Sequence, residues 1–114
     1  MICFPNAKIN LGLSIKEKRI DNMHNIETCL LPIPLCDILE IKEADSFSLK
    51  ILGLDISGNE CKNSIAIAWE VLMSESYKVQ PVNVLLYKNI PTGSGLGGGS
   101  SDAAFFIKAI NTLY

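Results

Sequence analysis

The sequence feature that constrains the fold most is a glycine-rich segment, GSGLGGG, which runs from Gly93 to Gly99. Glycine loses more backbone freedom on folding than any other residue, so such a run is costly unless it has a purpose. Alternating apolar residues before it predict a strand over 82–90, and an apolar stripe after it predicts a helix beginning at Ser100. A flexible linker would instead have polar neighbours on both sides. A strand, a glycine loop and a helix in this order favour anion binding by free amides at the positive helix end.

The glycine segment differs from two common phosphate-binding loops. A P-loop has lysine directly after its last glycine, whereas Gly99 is followed by Ser100 and Ser101. Residues 93–98 satisfy G-x-G-x-x-G, but that pattern normally lies in the first βα turn of a dinucleotide-binding fold. A nucleotide triphosphate is therefore the expected ligand. A dinucleotide oxidoreductase, or a nucleotide-binding module without catalysis, remains as an alternative of another class.

Near the start of the chain, residues 6–15 alternate between apolar and polar side chains, which predicts a strand. One face of this strand would carry Ile9, Leu11, Leu13 and Ile15. The other face would carry Lys8, Asn10, Gly12 and Ser14. The polar segment 16–25 is predicted to be a hairpin or loop.

Further strands are predicted over 26–33, 37–42 and 46–52, with a break at the Pro32-Ile33-Pro34 segment and a loop over 53–62. Asn63 or Ser64 is expected to cap a helix that runs to about Tyr77. Its buried stripe would contain Ile65, Ala68, Trp69 and Leu72. The buried stripe of the last helix would contain Ala103, Phe106, Ile107, Ile110, Leu113 and Tyr114. This mixture predicts an α+β or mixed α/β domain.

Composition excludes several classes of protein. Hydrophobic residues make up 48% and charged residues 19%, which excludes disorder. The net charge is −2 without a lysine or arginine cluster, which argues against nucleic-acid binding. No segment approaches the roughly 18 uninterrupted apolar residues of a membrane helix. The cysteines, Cys3, Cys29, Cys36 and Cys61, form no CxxC motif, and the start of the chain has no signal-peptide pattern. We expect reduced, mostly buried thiols in a cytoplasmic protein.

The longer string Pro91-x-x-x-Gly95-Leu-Gly-Gly-Gly-Ser-Ser-Asp-Ala-Ala104 resembles the ATP-binding signature of the GHMP kinases, which include galactokinase and homoserine, mevalonate and phosphomevalonate kinases. The strings Asn6-Ala-Lys-Ile-Asn-Leu11 and Asp21-Asn-Met-His-Asn25 most resemble the branch that acts on a methylerythritol joined to cytidine diphosphate, in the non-mevalonate isoprenoid pathway. The resemblance implies an α+β amino-terminal domain, ribosomal protein S5 domain 2-like, with a mixed sheet and helices on one side. Another GHMP kinase, of homoserine or mevalonate type, is the alternative that keeps ATP and changes the acceptor.

The resemblance also implies phosphoryl transfer from ATP, with Mg²⁺, to a primary alcohol of this small-molecule substrate. Lys8 would orient the attacking hydroxyl and lower its proton affinity, with Asn10 beside it near the substrate. His24 would contact the cytosine. From the residues alone, Lys8 and His24 would be interpreted as solvated surface side chains, and only the resemblance favours a functional role. No residue is assigned as a metal ligand, and no oligomeric state is predicted.

On the nucleotide side, the resemblance assigns Asn63 to the start of a helix that lines the adenine pocket, although Asn63 could serve only as a helix cap. Lys88 would reach the nucleotide just before the loop. The phosphate cradle would consist of Pro91, Gly93, Gly95, Leu96, Gly97, Gly98, Gly99, Ser100 and Ser101.

One departure from the family concerns the cytosine site. The family usually has Gly-Tyr-His where this chain has Asn22, Met23 and His24. Loss of the tyrosine removes an aromatic face worth about 0.5–1.5 kcal/mol beyond burial. Methionine can still pack against a ring, so the substrate assignment is weakened without being excluded.

The second departure concerns the end of the chain. The last helix reaches Leu113 and Tyr114 without a Gly or Asn C-cap. We expect residues 1–114 to be the amino-terminal portion of a larger kinase, with the catalytic aspartate and a second domain in sequence beyond it. Asp102, expected in the first turn of the last helix, suits the helix dipole and does not replace that aspartate. The 114 residues alone are therefore expected to lack kinase activity.

Overall fold

The computed structural model describes residues 1–54, 63–75 and 78–114. The elements in chain order are β1 (Ile2–Cys3), β2 (Asn6–Lys18), β3 (His24–Cys36), β4 (Ile38–Glu43), β5 (Ser48–Gly53), α1 (Ser64–Ser74), β6 (Val82–Lys88) and α2 (Gly98–Leu113). Four strands form a sheet in the order β1-β4-β6-β5, in which β6 is antiparallel to β4 and parallel to β5. The other two, β2 and β3, form an antiparallel ribbon.

Both helices pack on one face of the four-stranded sheet. Buried and more exposed side chains alternate along β6, as expected for a strand with one covered face. The core contains Leu39, Ile41, Ile65, Trp69, Val82, Val84, Leu86, Phe106, Ala109 and Ile110. The rings of Phe47 and Trp69 stack at its edge, with 4.7 Å between centroids. The predicted α+β class, with a mixed sheet and helices on one side, is confirmed.

The ribbon departs from the prediction at its two prolines. β3 continues through Pro32 and Pro34, so the predicted break there is wrong. Prolines two residues apart have their nitrogens on the same edge of a strand. Within the described residues β3 pairs only with β2, so its other edge needs no N–H donors. The predicted hairpin over 16–25 is present, with its turn at residues 19–23.

The strand predicted over 6–15 is the first part of β2. A bulge at Gly12 shows that the prediction of a single apolar face for this strand is wrong. Gly12 has φ +69° and no partner in the ladder, where Leu11 pairs with Cys29 and Leu13 with Thr28. Cys29 and Thr28 are adjacent and point to opposite faces, so Leu11 and Leu13 also lie on opposite faces. From Leu13 onward, the apolar residues of β2 share the face of Lys8 and Asn10. We call it the loop-side face, because Lys8 contacts the glycine loop.

The helices confirm most of the predicted stripes and correct their bounds. Asn63 caps α1, as predicted, but α1 ends at Ser74, before the expected end near Tyr77; residue 77 itself lies outside the described residues. α2 begins at Gly98 instead of Ser100, which moves Asp102 out of the first turn and into the buried stripe. Ile107 and Tyr114 are each 45% exposed, so both were wrongly assigned to that stripe.

The thiols are more accessible than expected. Cys29 is exposed on the ribbon, and Cys3 and Cys36 are partly buried, so the prediction of mostly buried thiols is wrong for these three. Cys61 and most of the predicted loop over 53–62 lie outside the described residues. None of the helices in the described part of the chain has the length and apolar character that a membrane crossing requires.

Candidate functional site

The glycine loop connects β6 to α2 through three left-handed glycines. Gly93, Gly95 and Gly97 have φ values of +71°, +78° and +73°, which other residues adopt only with strain. A Cβ atom added to Gly93 or Gly95 would meet no atom within 4 Å. Inside the loop, the Ser94 hydroxyl donates to the Pro91 carbonyl (2.7 Å). The loop therefore has a defined backbone conformation and an open side along which a ligand can approach.

Lys8 of β2 lies against this loop. Its backbone N–H donates to the Leu96 carbonyl (2.9 Å), and its Nζ donates to the Gly95 carbonyl (2.6 Å) and to Asn10 Oδ1 (2.8 Å). A Cβ atom on Gly97 would lie 3.1 Å from Lys8 Cε, closer than side chains normally pack. The structure thus brings together Lys8, Asn10 and the loop, three of the predicted parts of the site. Ser94, which holds the loop turn, was not among the predicted residues.

Replacing Gly97 with alanine is expected to affect both stability and the Lys8 position. The left-handed conformation costs a non-glycine residue about 1–2 kcal/mol, and the new methyl group would press on Lys8. Gly93→Ala is the matched control, because it adds the same left-handed strain in open space. Urea unfolding should show Gly97→Ala to be the less stable variant. Equal stability of the two variants would contradict a tight contact between Gly97 and Lys8.

The N-termini of the two helices meet at the loop. The Ser64 hydroxyl in α1 donates to the Gly99 carbonyl in α2 (2.6 Å). Asn63 Oδ1 accepts the backbone N–H of Ile65 (2.9 Å), so Asn63 acts as an N-cap. Each helix N-terminus has free N–H groups and a partial positive charge. Their convergence gives this end of the domain a positive potential suited to phosphate. Ser64 was considered only as a possible cap.

Lys88 lies beneath the loop, inside the protein. Its side chain is 4% exposed, and its Nζ forms ion pairs with Asp37 and with Asp102 (2.7 Å). Asp37 Oδ1 also accepts the backbone N–H groups of Asn89 (2.6 Å) and Ile90 (2.8 Å). The structure therefore does not place the Lys88 ammonium on the open side of the loop.

This buried cluster, Lys88 with Asp37 and Asp102, supports the first turn of α2. A Cβ atom on Gly98 would lie 3.2 Å from Lys88 Nζ and 2.8 Å from a methyl carbon of Ile90. Gly98 therefore allows α2 to begin directly above the cluster. Asp37 was missed in the sequence, although one signal was available. Lys88 falls on the core-facing side of β6, and a buried charge requires a partner of opposite sign.

Asp102 has a proton affinity that its surroundings alter. Burial raises the pKa of Asp102 to about 6, which the neighbouring Lys88 ammonium only partly offsets, and the Asp37 charge raises it further. Within the described residues, Asp102 Oδ1 has no hydrogen-bond partner. With all three groups ionised the cluster carries one excess negative charge, and protonation of Asp102 removes it. Near pH 6 the cluster thus changes between a neutral and a negative state.

The raised pKa of Asp102 predicts a pH dependence of stability. Between about pH 4 and pH 6 the folded state holds a proton that the unfolded chain has released, so the unfolding free energy falls as the pH rises through this window. Asp102→Asn should lack this component. We expect the stability of the wild type relative to Asp102→Asn, measured by urea unfolding, to decline between pH 4 and pH 6 and then level off. A relative stability that rises with pH would contradict the assignment.

His24 lies far along the ribbon from the loop. It is exposed and begins β3 at the turn, opposite Lys18. Pro32, which pairs with Lys8, is eight residues further on, so the separation is at most about 26 Å along an extended strand. His24 and Pro32 have the same parity on β3, which places His24 on the loop-side face. Asn22, where the family usually has glycine, is left-handed (φ +66°), a conformation that asparagine tolerates better than most residues.

Comparison with known proteins gives consistent matches. Residues 63–114 match the family described as GHMP kinases N terminal domain. A protein of Bacteroides thetaiotaomicron named 4-diphosphocytidyl-2-C-methyl-D-erythritol kinase is 54% identical over 115 positions, covering 97% of this chain and 42% of the relative. The chain thus spans about two fifths of that relative's length.

Solved structures match in the same way. The crystal structure of a 4-(cytidine 5'-diphospho)-2C-methyl-D-erythritol kinase aligns with a TM-score of 0.82 and 36% identity, over 100% of this chain and 41% of that one. A putative homoserine kinase from Listeria monocytogenes aligns with a TM-score of 0.59 and 24% identity, over 98% of this chain and 35% of that one, which shows a shared fold alone. Residues 63–114 are thus similar in sequence to the N-terminal domain of the GHMP kinases, and the chain is similar in fold over its length to the solved 4-(cytidine 5'-diphospho)-2C-methyl-D-erythritol kinase.

Proposed function

We propose that residues 1–114 are the amino-terminal portion of an ATP-dependent kinase that phosphorylates a hydroxyl of 4-diphosphocytidyl-2-C-methyl-D-erythritol, a step of isoprenoid biosynthesis. The observation that carries the proposal is the contact of Lys8 with the glycine loop, through Gly95 (2.6 Å) and beside Asn10 (2.8 Å). This contact places an ammonium group and an amide at the edge of the glycine loop, which would bind the phosphates. The relatives' names supply the substrate, and a second, carboxy-terminal domain would supply the catalytic aspartate.

ATP would bind with its phosphates on the open side of the loop. Backbone amides of the glycine segment and the N-termini of α1 and α2 would hold the phosphate oxygens. Asn63, at the start of α1, would lie near the adenine, while the hydroxyls of Ser100 and Ser101 would lie near the phosphates. Lys88 would act on the nucleotide through the loop, by holding the start of α2 in place. Phosphoryl transfer depends mainly on such positioning and electrostatic stabilisation.

Lys8 and Asn10 would handle the acceptor hydroxyl. Two of the three Lys8 ammonium protons are engaged by Gly95 and Asn10, which leaves the third for an oxygen of the substrate or of the transferred phosphoryl group. The positive charge would stabilise negative charge that develops on these oxygens. Asn10, on the same strand face, would orient the substrate beside it.

Magnesium would accompany ATP as the counter-ion of its phosphates. Across the described ranges, no group of three or more His, Cys, Asp or Glu side chains could hold a metal ion. Near the loop, the Asp102 carboxylate is already bound to Lys88. Mg²⁺ commonly keeps several waters and binds substrate phosphates with few protein ligands. The residues present fit that mode, with a serine hydroxyl such as Ser100 as the available protein oxygen.

The loop-side face of the ribbon favours an elongated acceptor over a small one. Beyond Lys8 this face carries apolar side chains that are more than half exposed, although they lie away from the core. They are Leu13, Ile15, Ile26 and Leu30. A cytidine diphosphate group extending from the hydroxyl toward His24 would cover them. Homoserine or mevalonate would be too short to cover the part of this face between Leu13 and His24, and this favours the cytidyl branch over the alternative GHMP kinases.

The test is an acceptor assay on the full gene product that contains this chain. With ATP and Mg²⁺ we expect turnover of 4-diphosphocytidyl-2-C-methyl-D-erythritol, and much slower turnover of homoserine and mevalonate. Faster turnover of either small acceptor would favour the alternative kinase. Binding of NAD without binding of ATP would contradict a kinase altogether. We further propose a cytoplasmic location and no nucleic-acid or membrane partner, in keeping with the acidic composition.

A further inference from the structure

We propose that Thr28 is a positioning residue for phosphoryl transfer, which fixes the side-chain amide of Asn10 and thereby the Lys8 ammonium. This inference rests on the proposed function, because it assumes that Lys8 and Asn10 meet the acceptor. Thr28 lies on β3 and on the loop-side face, diagonally across the ribbon from Asn10. Neither the glycine segment nor the strings that resemble the GHMP kinases include it.

A directional chain of hydrogen bonds connects Thr28 to the loop. The Thr28 hydroxyl donates to the Gly12 carbonyl (2.6 Å), and its Oγ1 accepts from Asn10 Nδ2 (3.0 Å). Asn10 Oδ1 in turn accepts from Lys8 Nζ, which also donates to the Gly95 carbonyl. The hydrogen bonds thus form a continuous chain from the bulge at Gly12 to the glycine loop, and every donor in the chain has an acceptor.

The bulge explains why the chain has a fixed direction. Gly12 has no partner in the ladder, and its carbonyl accepts the Thr28 hydroxyl instead. A hydroxyl has a single proton. Thr28 donates that proton to the Gly12 carbonyl, so it can only accept a hydrogen bond from Asn10. The Asn10 NH₂ group must therefore face Thr28. The Asn10 carbonyl oxygen then faces the ammonium.

The reversed amide would place the NH₂ group of Asn10 against the Lys8 ammonium, where two donors would meet. Thr28 therefore selects the amide orientation that holds Lys8, although it lies two residue pairs further along the ribbon than Asn10 and need not touch the acceptor. Its effect should appear in the rate of transfer and not in the binding of ATP, which depends on the loop amides.

Two variants of Thr28 separate its hydroxyl from its bulk. Thr28→Val keeps the branched shape without the hydroxyl, and Thr28→Ser keeps the hydroxyl. In the full gene product, we expect Thr28→Val to lower kcat about tenfold, the loss of one hydrogen bond to a charged pair, with the KM for ATP unchanged. Thr28→Ser should recover most of the rate. Equal rates for Thr28→Val and the wild type, or no recovery in Thr28→Ser, would overturn the proposal.

A double variant tests whether Thr28 acts through Asn10. In an Asn10→Ala background, Thr28→Val should cause no further loss of kcat, since the group that it orients is gone. An equal, independent loss in that background would indicate a direct or purely structural role. Neither outcome depends on whether a variant is somewhat less stable, because each comparison is made against the matched single variant.

A spectroscopic readout keeps this inference separate from the proposed function. In ¹⁵N-resolved NMR spectra of the full gene product, the Asn10 side-chain NH₂ signals should shift in Thr28→Val and stay near their wild-type positions in Thr28→Ser. Unshifted signals in Thr28→Val would refute the hydrogen-bond chain even if the protein is an active kinase. If the signals shift in Thr28→Val while the wild type has no kinase activity, the hydrogen-bond chain is upheld and only the proposed function is refuted.

Discussion

Lys88→Met is expected to destabilise the protein by about 3–5 kcal/mol, the usual cost of removing one partner from a buried ion pair. Methionine fills much the same volume, so packing alone would not cause such a loss. The loss would follow from Asp37 and Asp102, which are 0% and 1% exposed and would be left without a cation. Denaturant unfolding at pH 7.5 measures it directly.

Lys50→Met, at an exposed position of β5, is the matched control for this prediction. The substitution is the same, in the same sheet, and surface changes usually alter stability by less than about 0.5 kcal/mol. Adding Asp102→Asn to Lys88→Met should restore part of the lost stability, because one of the two unpaired charges is removed. If Lys88→Met proved as stable as Lys50→Met, the ammonium would not be a buried partner of these carboxylates.

The fold was largely readable from the sequence because its strands and helices have strong local patterns. Alternation identified β6, and the stripe of α1 was confirmed through Ile65 and Trp69. The prediction for the faces of β2 was wrong because a backbone irregularity determines them. A single left-handed glycine, Gly12, reverses the faces of the residues from Leu13 to Ile15 in β2, and alternation alone gives no sign of that reversal.

The sequence predicted some parts of the candidate site and missed others, depending on whether their residues are contiguous in the chain. The glycine loop is contiguous in sequence, so its composition reveals it without knowledge of the fold. The cluster beneath it joins Lys88, at the end of β6, to Asp102 of α2 and to Asp37, which lies 51 residues earlier, just before β4. Only the topology, with the start of β4 beside the end of β6, makes them neighbours. Thr28 was hidden in the same way, because its contacts depend on the ribbon register and on the bulge.

Lys8→Met is expected to lower kcat of the full gene product by about 10²–10³, the range observed when one charge-stabilising donor is removed from an active site. Methionine retains the length of the chain that packs beneath Gly97 and loses only the ammonium. The loop amides remain, so the affinity for ATP, measured by calorimetry, should change much less than the rate. The free energy of unfolding should also stay close to that of the wild type, because the lost contacts of Nζ are exposed.

The control for Lys8 lies on the same strand. Lys16 of β2 forms an exposed ion pair with Glu27, which lies on the opposite face of the ribbon from Lys8. Such surface pairs contribute little to stability, so Lys16→Met should leave both kcat and ATP affinity unchanged. If Lys8→Met kept more than a tenth of the wild-type rate, the ammonium would not stabilise the transferred phosphoryl group. If ATP affinity fell as far as kcat, Lys8 would instead be part of the nucleotide site, and the acceptor hydroxyl would have to be activated by groups elsewhere.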